Sequence, residues 1–339
     1  SRLAGCSRLP VLPEMPFGGW PWWFPQTSED QQAAALAALM HGVKGFNLYM
    51  LVDRDRWYGA PLAEDGTPQA PQYEIARQLV QAVGQSNLFS LSRKVEVALM
   101  EVRDYRRLEV ATSLVDPIPP MLLSLFDVGA AEVSGKNDFG LGTRNAEFVR
   151  CAELALDRLG VPYHYVDSDS SVERLARYRL VLVPLFDFMA VGLLKRLKEY
   201  VEGGGRLIMG PCLPTLDEQL ETLNEKLPSH IFCQEEELEQ VFEDLVDQYL
   251  VAANPGFESK EVDIATYGNN EGPRVIFLAN RSDRSCISAI RGDEFEDLLA
   301  WDALTGDAVR LEALHLQGRQ VRMVCCKRKK RSIGEKGAL

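Results

Sequence analysis

The 339-residue chain carries 49 acidic against 37 basic side chains, giving a net charge of −12, and is 46% apolar and 25% charged. That length accommodates two or three domains with sizeable cores. The acid excess excludes a nucleic-acid backbone as the main partner, because phosphate binding needs a basic face. No apolar run approaches membrane-spanning length.

From the N-terminus, Leu9 to Met15 reads as a short buried strand. Ser28 and Gln31 stand at capping-box spacing and open a helix whose apolar face is Ala33, Leu36, Ala37 and Met40, with Gly42 as its stop. Gly45 to Val52 is a second apolar strand, followed by a long loop through Trp57, Gly59 and Pro61 and a helix from about Gln72 to Val83. Strand, helix, strand, loop, helix suits the last two βα units of a (β/α)8 barrel, so residues 1–87 form the first domain.

Over 88–251, the strands Val95–Met100, Tyr163–Val166, Leu180–Leu185 and Arg206–Gly210 alternate with helices, including Asn145–Leu159 and the stripe Leu193, Leu197, Tyr200, Val201. This predicts a doubly wound α/β domain of flavodoxin or amidotransferase type. Over 252–326, short β-like runs at Arg274–Ala279, Cys286–Ile290 and Val321–Cys325 predict a small β-sandwich. Residues 327–339 begin with the basic run Lys327, Arg328, Lys329, Lys330, Arg331 and read as a solvated, disordered tail.

Seven cysteines, odd in number and irregularly spaced, with only four histidines, give no disulfide framework and no zinc spacing. A reducing cytoplasm without a metal centre is expected. Gly140-Leu141-Gly142 precedes a helix but lacks the third glycine of a dinucleotide loop.

Chemistry concentrates in two clusters. In the first, Glu14 ends an apolar strand, Gly18-Gly19 turns the chain, and Trp20, Trp22 and Trp23 fall within four positions. Sugars bind through their hydroxyls and by packing C–H faces on aromatic rings, so a strand-end carboxylate beside tryptophans suits a glycosidase subsite. The bland reading is a surface Glu beside core Trp. In the second cluster Asn47 and Tyr49 share one face of a strand, and Asp53-Arg54-Asp55-Arg56 precede Trp57. At least two of those four charges read as solvated.

Glu14 with Gly18-Gly19-Trp20, then Gly45-Phe46-Asn47-Leu48-Tyr49-Met50, then Trp57-Tyr58-Gly59-Ala60-Pro61, resemble the end of the catalytic barrel in β-galactosidases of glycoside hydrolase families 42 and 35. The resemblance implies a retaining glycosidase with Glu14 as nucleophile and Trp22 as a sugar-packing residue. It also implies Asn47, Tyr49 and Trp57 as further substrate-binding positions. By the same resemblance, 88–251 is an amidotransferase-like trimerisation domain and 252–326 the small C-terminal β domain. It implies a β-galactoside substrate, no cofactor and a homotrimer. The family's acid/base Glu belongs to an earlier barrel strand, so the chain is expected to be a fragment whose parent supplies that group.

Two other readings stand beside it. One is a non-catalytic oligomerisation module. The other is a Cys-dependent amidotransferase using Cys212, which follows the strand Arg206–Gly210 but has Pro211, Leu213 and Pro214 around it where a nucleophile elbow needs glycine.

Overall fold

The computed structural model describes residues 2–20, 22, 24, 26–115, 141–249, 256–257, 261–269, 272–292 and 295–329. From the N-terminus the elements are α1 (Arg2–Cys6), β1 (Val11–Pro16), α2 (Ser28–Met40), β2 (Gly45–Tyr49), α3 (Gln72–Ser86), β3 (Ser92–Arg93), β4 (Val97–Glu101) and α4 (Arg103–Val115). There follow α5 (Leu141–Arg158), β5 (Tyr163–Asp167), α6 (Val172–Leu175), β6 (Leu180–Leu185), α7 (Val191–Glu202), β7 (Arg206–Pro211), β8 (Ile231–Phe232) and α8 (Leu238–Tyr249). The remaining strands are β9 (Gly256–Phe257), β10 (Val262–Asn269), β11 (Gly272–Asn280), β12 (Cys286–Ser288), β13 (Ile290–Arg291), β14 (Leu298–Asp302), β15 (Ala308–Val309), β16 (Leu314–Leu316) and β17 (Val321–Arg328). The chain divides into two compact units, one of Ser1–Ser7 with Val95–Ala253 and the other of Arg8–Lys94 with Asn254–Leu339.

The first unit is a parallel sheet of order β5-β4-β6-β7-β8. Its strands are apolar on both faces because helices cover both. Ala98, Met100, Val181, Val183 and Met209 face a core shared with Leu193 and Leu197 of α7. Val97, Leu99, Leu180, Leu182 and Ile208 face another, shared with Phe148 and Ala152 of α5 and Phe242 of α8. Tyr105 of α4 is fully buried, and its hydroxyl is used twice. It donates to the Phe188 carbonyl and accepts from the Phe186 amide, each at 2.8 Å.

In the second unit β1 and β2 form a two-stranded parallel sheet connected through α2. The helix starts one residue earlier than the capping spacing suggests. The Thr27 hydroxyl accepts from the Asp30 amide at 3.1 Å, and the Asp30 carboxylate accepts from the Thr27 amide at 2.9 Å. Ser28 and Gln31 are buried instead of capping. The buried face also includes Ala35, Leu36, Leu39 and Met40, rotated from the face read in the sequence.

A six-stranded antiparallel sheet of order β15-β14-β17-β11-β10-β3 completes this unit. It differs from a sandwich set apart over 252–326, since one edge is Ser92–Arg93. Strand alternation explains its two cores. Tyr267, Val275, Phe277, Met323 and Cys325 pack with Leu36 and Leu39 of α2 and Leu79 of α3. Ile264, Ile276, Leu278, Val324 and Cys326 pack on the other side with Leu314 and Leu316. A helical layer thus covers the first face, and the short strands β13 and β16 cover the second. Lys327 and Arg328, read as the start of a tail, extend β17, while Lys330, Arg331 and the residues after them lie outside the described residues. No described helix is long and apolar enough to cross a membrane.

Candidate active site

The register of β1 on β2 sets the candidate site. Leu12 pairs with Phe46 and Met15 with Leu48, so Pro13 and Glu14 together oppose the single residue Asn47. This is a bulge, a feature that re-aims side chains and is frequent beside active sites. Met15 is buried in the helix-covered core, whereas Glu14 and Asn47 are both exposed. The irregular register thus brings the predicted nucleophile and the predicted amide to the same level of the two-stranded sheet.

Beyond β1 the chain turns at Gly18, whose φ is +77°. A side chain there would overlap the Tyr58 carbonyl oxygen and come within 2.7 Å of the Trp57 indole nitrogen. Only glycine combines that backbone conformation with so close an approach. Reciprocal backbone hydrogen bonds join Gly19 and Tyr58, at 2.9 and 3.1 Å, and bind the turn to the loop after β2.

Four aromatic rings stand on this scaffold. Trp57 is 3% exposed and donates its indole N–H to the Phe17 carbonyl at 3.0 Å. Trp20 meets Trp57 edge-on at 5.8 Å, and Trp22 stacks on Trp20 at 4.9 Å with 19° between the planes. Tyr49 meets Trp57 edge-on from the other strand at 5.3 Å. Trp57 is therefore the buried base of the cluster, with its polar group already committed. Trp22, 67% exposed, presents the open ring, and Tyr49 is partly open at 38%. Such offset and edge-on pairs add roughly 0.5–1.5 kcal/mol each beyond area burial. Trp23, with Pro21 and Pro25, lies outside the described residues.

The charge run after β2 separates by role. Asp53 accepts from the Ala60 amide at 2.8 Å and from the Gln69 side chain at 2.7 Å, which holds the 53–69 loop closed. Arg54 reaches the Tyr49 hydroxyl at 3.4 Å. Asp55 and Arg56 are exposed, as read for at least two of the four. Sequence reasoning missed Asp53 as the clasp of the loop and Trp20 as the ring bridging Trp57 to Trp22. The alternation of Trp20 and Trp22 was the available signal for the latter. For Asp53 there was none, because its partners lie 7 and 16 residues away.

In the other unit Cys212 is half-buried beside the first core, and the ring nitrogen of His230 is engaged with the Pro228 carbonyl at 2.8 Å. The Gly140-Leu141-Gly142 segment is cut by the described boundary: Gly140 lies outside it, and α5 begins at Leu141. Among the described residues no group of three or more His, Cys, Asp or Glu is arranged to hold a metal ion.

Residues 144–251 match the model of the GLMA-like second domain. The exo-β-D-glucosaminidase of Pyrococcus horikoshii is 38% identical over 61 residues, which are 18% of this chain and 8% of that protein. Among solved structures, the GH42 β-galactosidase Gan42B of G. stearothermophilus superposes with a TM-score of 0.67 at 12% identity, over 96% of this chain and 56% of its own. The β-galactosidase of Bacillus circulans sp. alkalophilus gives 0.63 at 11% identity, over 92% and 55%. The chain thus spans about half the length of these structures and a small part of the curated relative. Its mixed α/β fold, with two parallel sheets and antiparallel sheets, is similar to that of the part of these GH42 β-galactosidases on which it superposes, and residues 144–251 are similar to the GLMA-like second domain.

Proposed function

We propose that the chain is the C-terminal part of a retaining exo-β-glycosidase of β-galactosidase type, acting on terminal β-D-galactosides, with Glu14 as its nucleophile. The observation that carries this reading is the bulge opposing Pro13-Glu14 to Asn47, beside rings that end in an open Trp22. The two parallel strands with their helices correspond to the last two βα units of a barrel. Two strands cannot close one, so the parent polypeptide supplies the others, and they convert the exposed position of Glu14 into the rim of a pocket.

In this reaction a Glu14 oxygen attacks the anomeric carbon. The bond from that carbon to the leaving oxygen breaks, and a second carboxyl, roughly 5–5.5 Å away in the parent, protonates the leaving group. Water deprotonated by the same second group then attacks the anomeric carbon and releases Glu14. Trp22 packs the sugar's C–H face, while Asn47 and Tyr49 bind its hydroxyls. Trp57, named in the sequence reading as a substrate contact, acts by positioning Trp20 and Tyr49. The α/β unit serves assembly, a trimer by resemblance.

A second glycone is supported by the GLMA-like match and the glucosaminidase relative, namely a β-D-glucosaminide. Assays of the complete parent protein on p-nitrophenyl β-galactoside and β-glucosaminide decide between them. Glu14→Gln is expected to lower turnover by at least about 10³-fold, the scale of removing a group that acts directly on the reacting bonds. A slow 2-deoxy-2-fluoro glycoside should leave a covalent adduct on the peptide containing Glu14. Full turnover by Glu14→Gln, or an adduct on another residue, overturns the proposal.

A further inference from the structure

One carboxylate fastens the loop that carries Trp57. We propose that Asp53 is a positioning residue, which sets the sugar-binding rings of the candidate site through that fastening. The inference rests on the glycosidase reading above, since those are the rings it holds.

Asp53 is half-buried, and each of its oxygens has a partner distant in the chain. Oδ1 accepts from the Ala60 amide at 2.8 Å, and Oδ2 accepts from Gln69 Nε2 at 2.7 Å. The backbone repeats the closure. The Asp53 amide donates to the Leu62 carbonyl at 2.7 Å, and the Gln69 amide donates to the Pro61 carbonyl at 2.8 Å. Ala60 is fully buried and packs with Met50 and Trp57, and Trp20 lies against the same group. Fixing the Ala60 amide therefore fixes the wall on which the Trp57 indole rests. Trp20 and Tyr49 in turn meet that indole edge-on. The path from the carboxylate to the open ring of Trp22 is Ala60, Trp57, Trp20, and every step is a packed contact or a hydrogen bond.

The site needs an acceptor at both ends of residue 53, because both partners are donors. An asparagine of the same shape turns an NH2 group against one of them. Turning the Gln69 amide over does not repair this. It sets the Gln69 oxygen against the Ala60 carbonyl, which Nε2 now approaches at 3.3 Å. The isosteric amide thus loses a bond that the carboxylate makes. Rings that pack a sugar equally well before and during reaction affect KM and not kcat, so a displaced ring cluster has a kinetic signature different from that of a lost nucleophile.

The test has two readouts. In the 339-residue chain labelled with 5-fluorotryptophan, the Trp57 resonance, assigned from a Trp57→Phe sample, should shift and broaden in Asp53→Asn. Gln69→Met removes one donor and keeps the carboxylate; it should move the signal the same way by less, and it serves if Asp53→Asn does not fold. Asp65→Ala is the control within the same loop. It removes a carboxylate that accepts only from the Thr67 amide, at 2.9 Å in an exposed turn, and should leave the signal in place. In the parent protein, Asp53→Asn should raise KM about tenfold, the scale of one hydrogen bond, on whichever p-nitrophenyl glycoside is hydrolysed, and should leave kcat within about twofold. An unmoved Trp57 signal in Asp53→Asn overturns the proposal. So does an equal movement in Asp65→Ala, or a fall in kcat with KM unchanged. A parent that hydrolyses neither glycoside removes the glycosidase reading instead, and the Trp57 signal still decides whether Asp53 sets the ring.

Discussion

At the scale of single residues, Gly18 is the position on which the candidate site depends most directly. Its φ of +77° costs an L residue about 1–2 kcal/mol before any contact is counted. A methyl group there also runs into the Tyr58 carbonyl and the Trp57 indole nitrogen, both of which belong to the ring cluster. Backbone oxygen does not yield as a flexible side-chain tip would. Gly18→Ala is therefore expected to destabilise the second unit by about 2–3 kcal/mol and to shift the tryptophan emission as Trp20 and Trp57 separate. Urea melts followed by tryptophan fluorescence measure both, and an unchanged midpoint with unchanged emission contradicts the packing described. Gly59, also at positive φ, makes a useful contrast: a side chain there would meet Gly18 Cα only at an ordinary 3.5 Å, so Gly59→Ala carries the backbone cost alone.

At the scale of elements, α2 separates what the sequence told from what it withheld. Its existence and its C-terminal stop were legible, because a run of candidate capping residues precedes it and Gly42 follows. Its cap and its buried face were not. Thr27 and Ser28 offer the same hydroxyl chemistry one residue apart, and Asp30 and Gln31 both complete a box in principle. The ionised Asp30 wins the contest, as an anion at a helix N-terminus also meets the positive end of the dipole. The run Ala33–Met40 is apolar on every side, so periodicity could not orient it. The bulge at Pro13-Glu14 was equally hidden, since register depends on the partner strand. Thr27→Ala is expected to cost about 1 kcal/mol. The cap also has a pH signature: hydrogen bonds from Thr27 hold the Asp30 carboxyl below its ordinary value. A depressed carboxyl stabilises the fold above the unfolded value, and that share is lost as pH falls through the folded one. The difference between wild type and Thr27→Ala should therefore be full at pH 6–7 and shrink below about pH 4. Denaturant melts at those pH values check it: the share carried by the hydroxyl's bond from the Asp30 amide persists at low pH, and no difference at pH 6–7 rules the cap out.

At the scale of the whole molecule, the doubly wound region was the most legible part. Its strands are continuous apolar runs, punctuated by Gly160-Val161-Pro162 and Gly203-Gly204-Gly205, and the structure reproduces Leu180–Leu185 to the residue. The regrouping of segments was invisible. Nothing in local pattern announces that Ser92–Arg93 joins a sheet built from residues beyond 262, because two residues carry no period. The resulting units have separate cores, and this makes a prediction about stability. Tyr105→Phe leaves the Phe186 amide and the Phe188 carbonyl unpaired inside a fully buried site, at a cost of about 1–3 kcal/mol. The loss belongs to the unit built on β4 and β6, while the sheet of β10, β11 and β17 keeps its own cores intact. Hydrogen exchange read by mass spectrometry should show faster exchange in peptides covering 97–101 and 180–185, with protection over 262–280 and 321–328 unchanged. Equal loss of protection in both sets would show that the molecule opens as one cooperative body, and the two cores would then be parts of one folding unit.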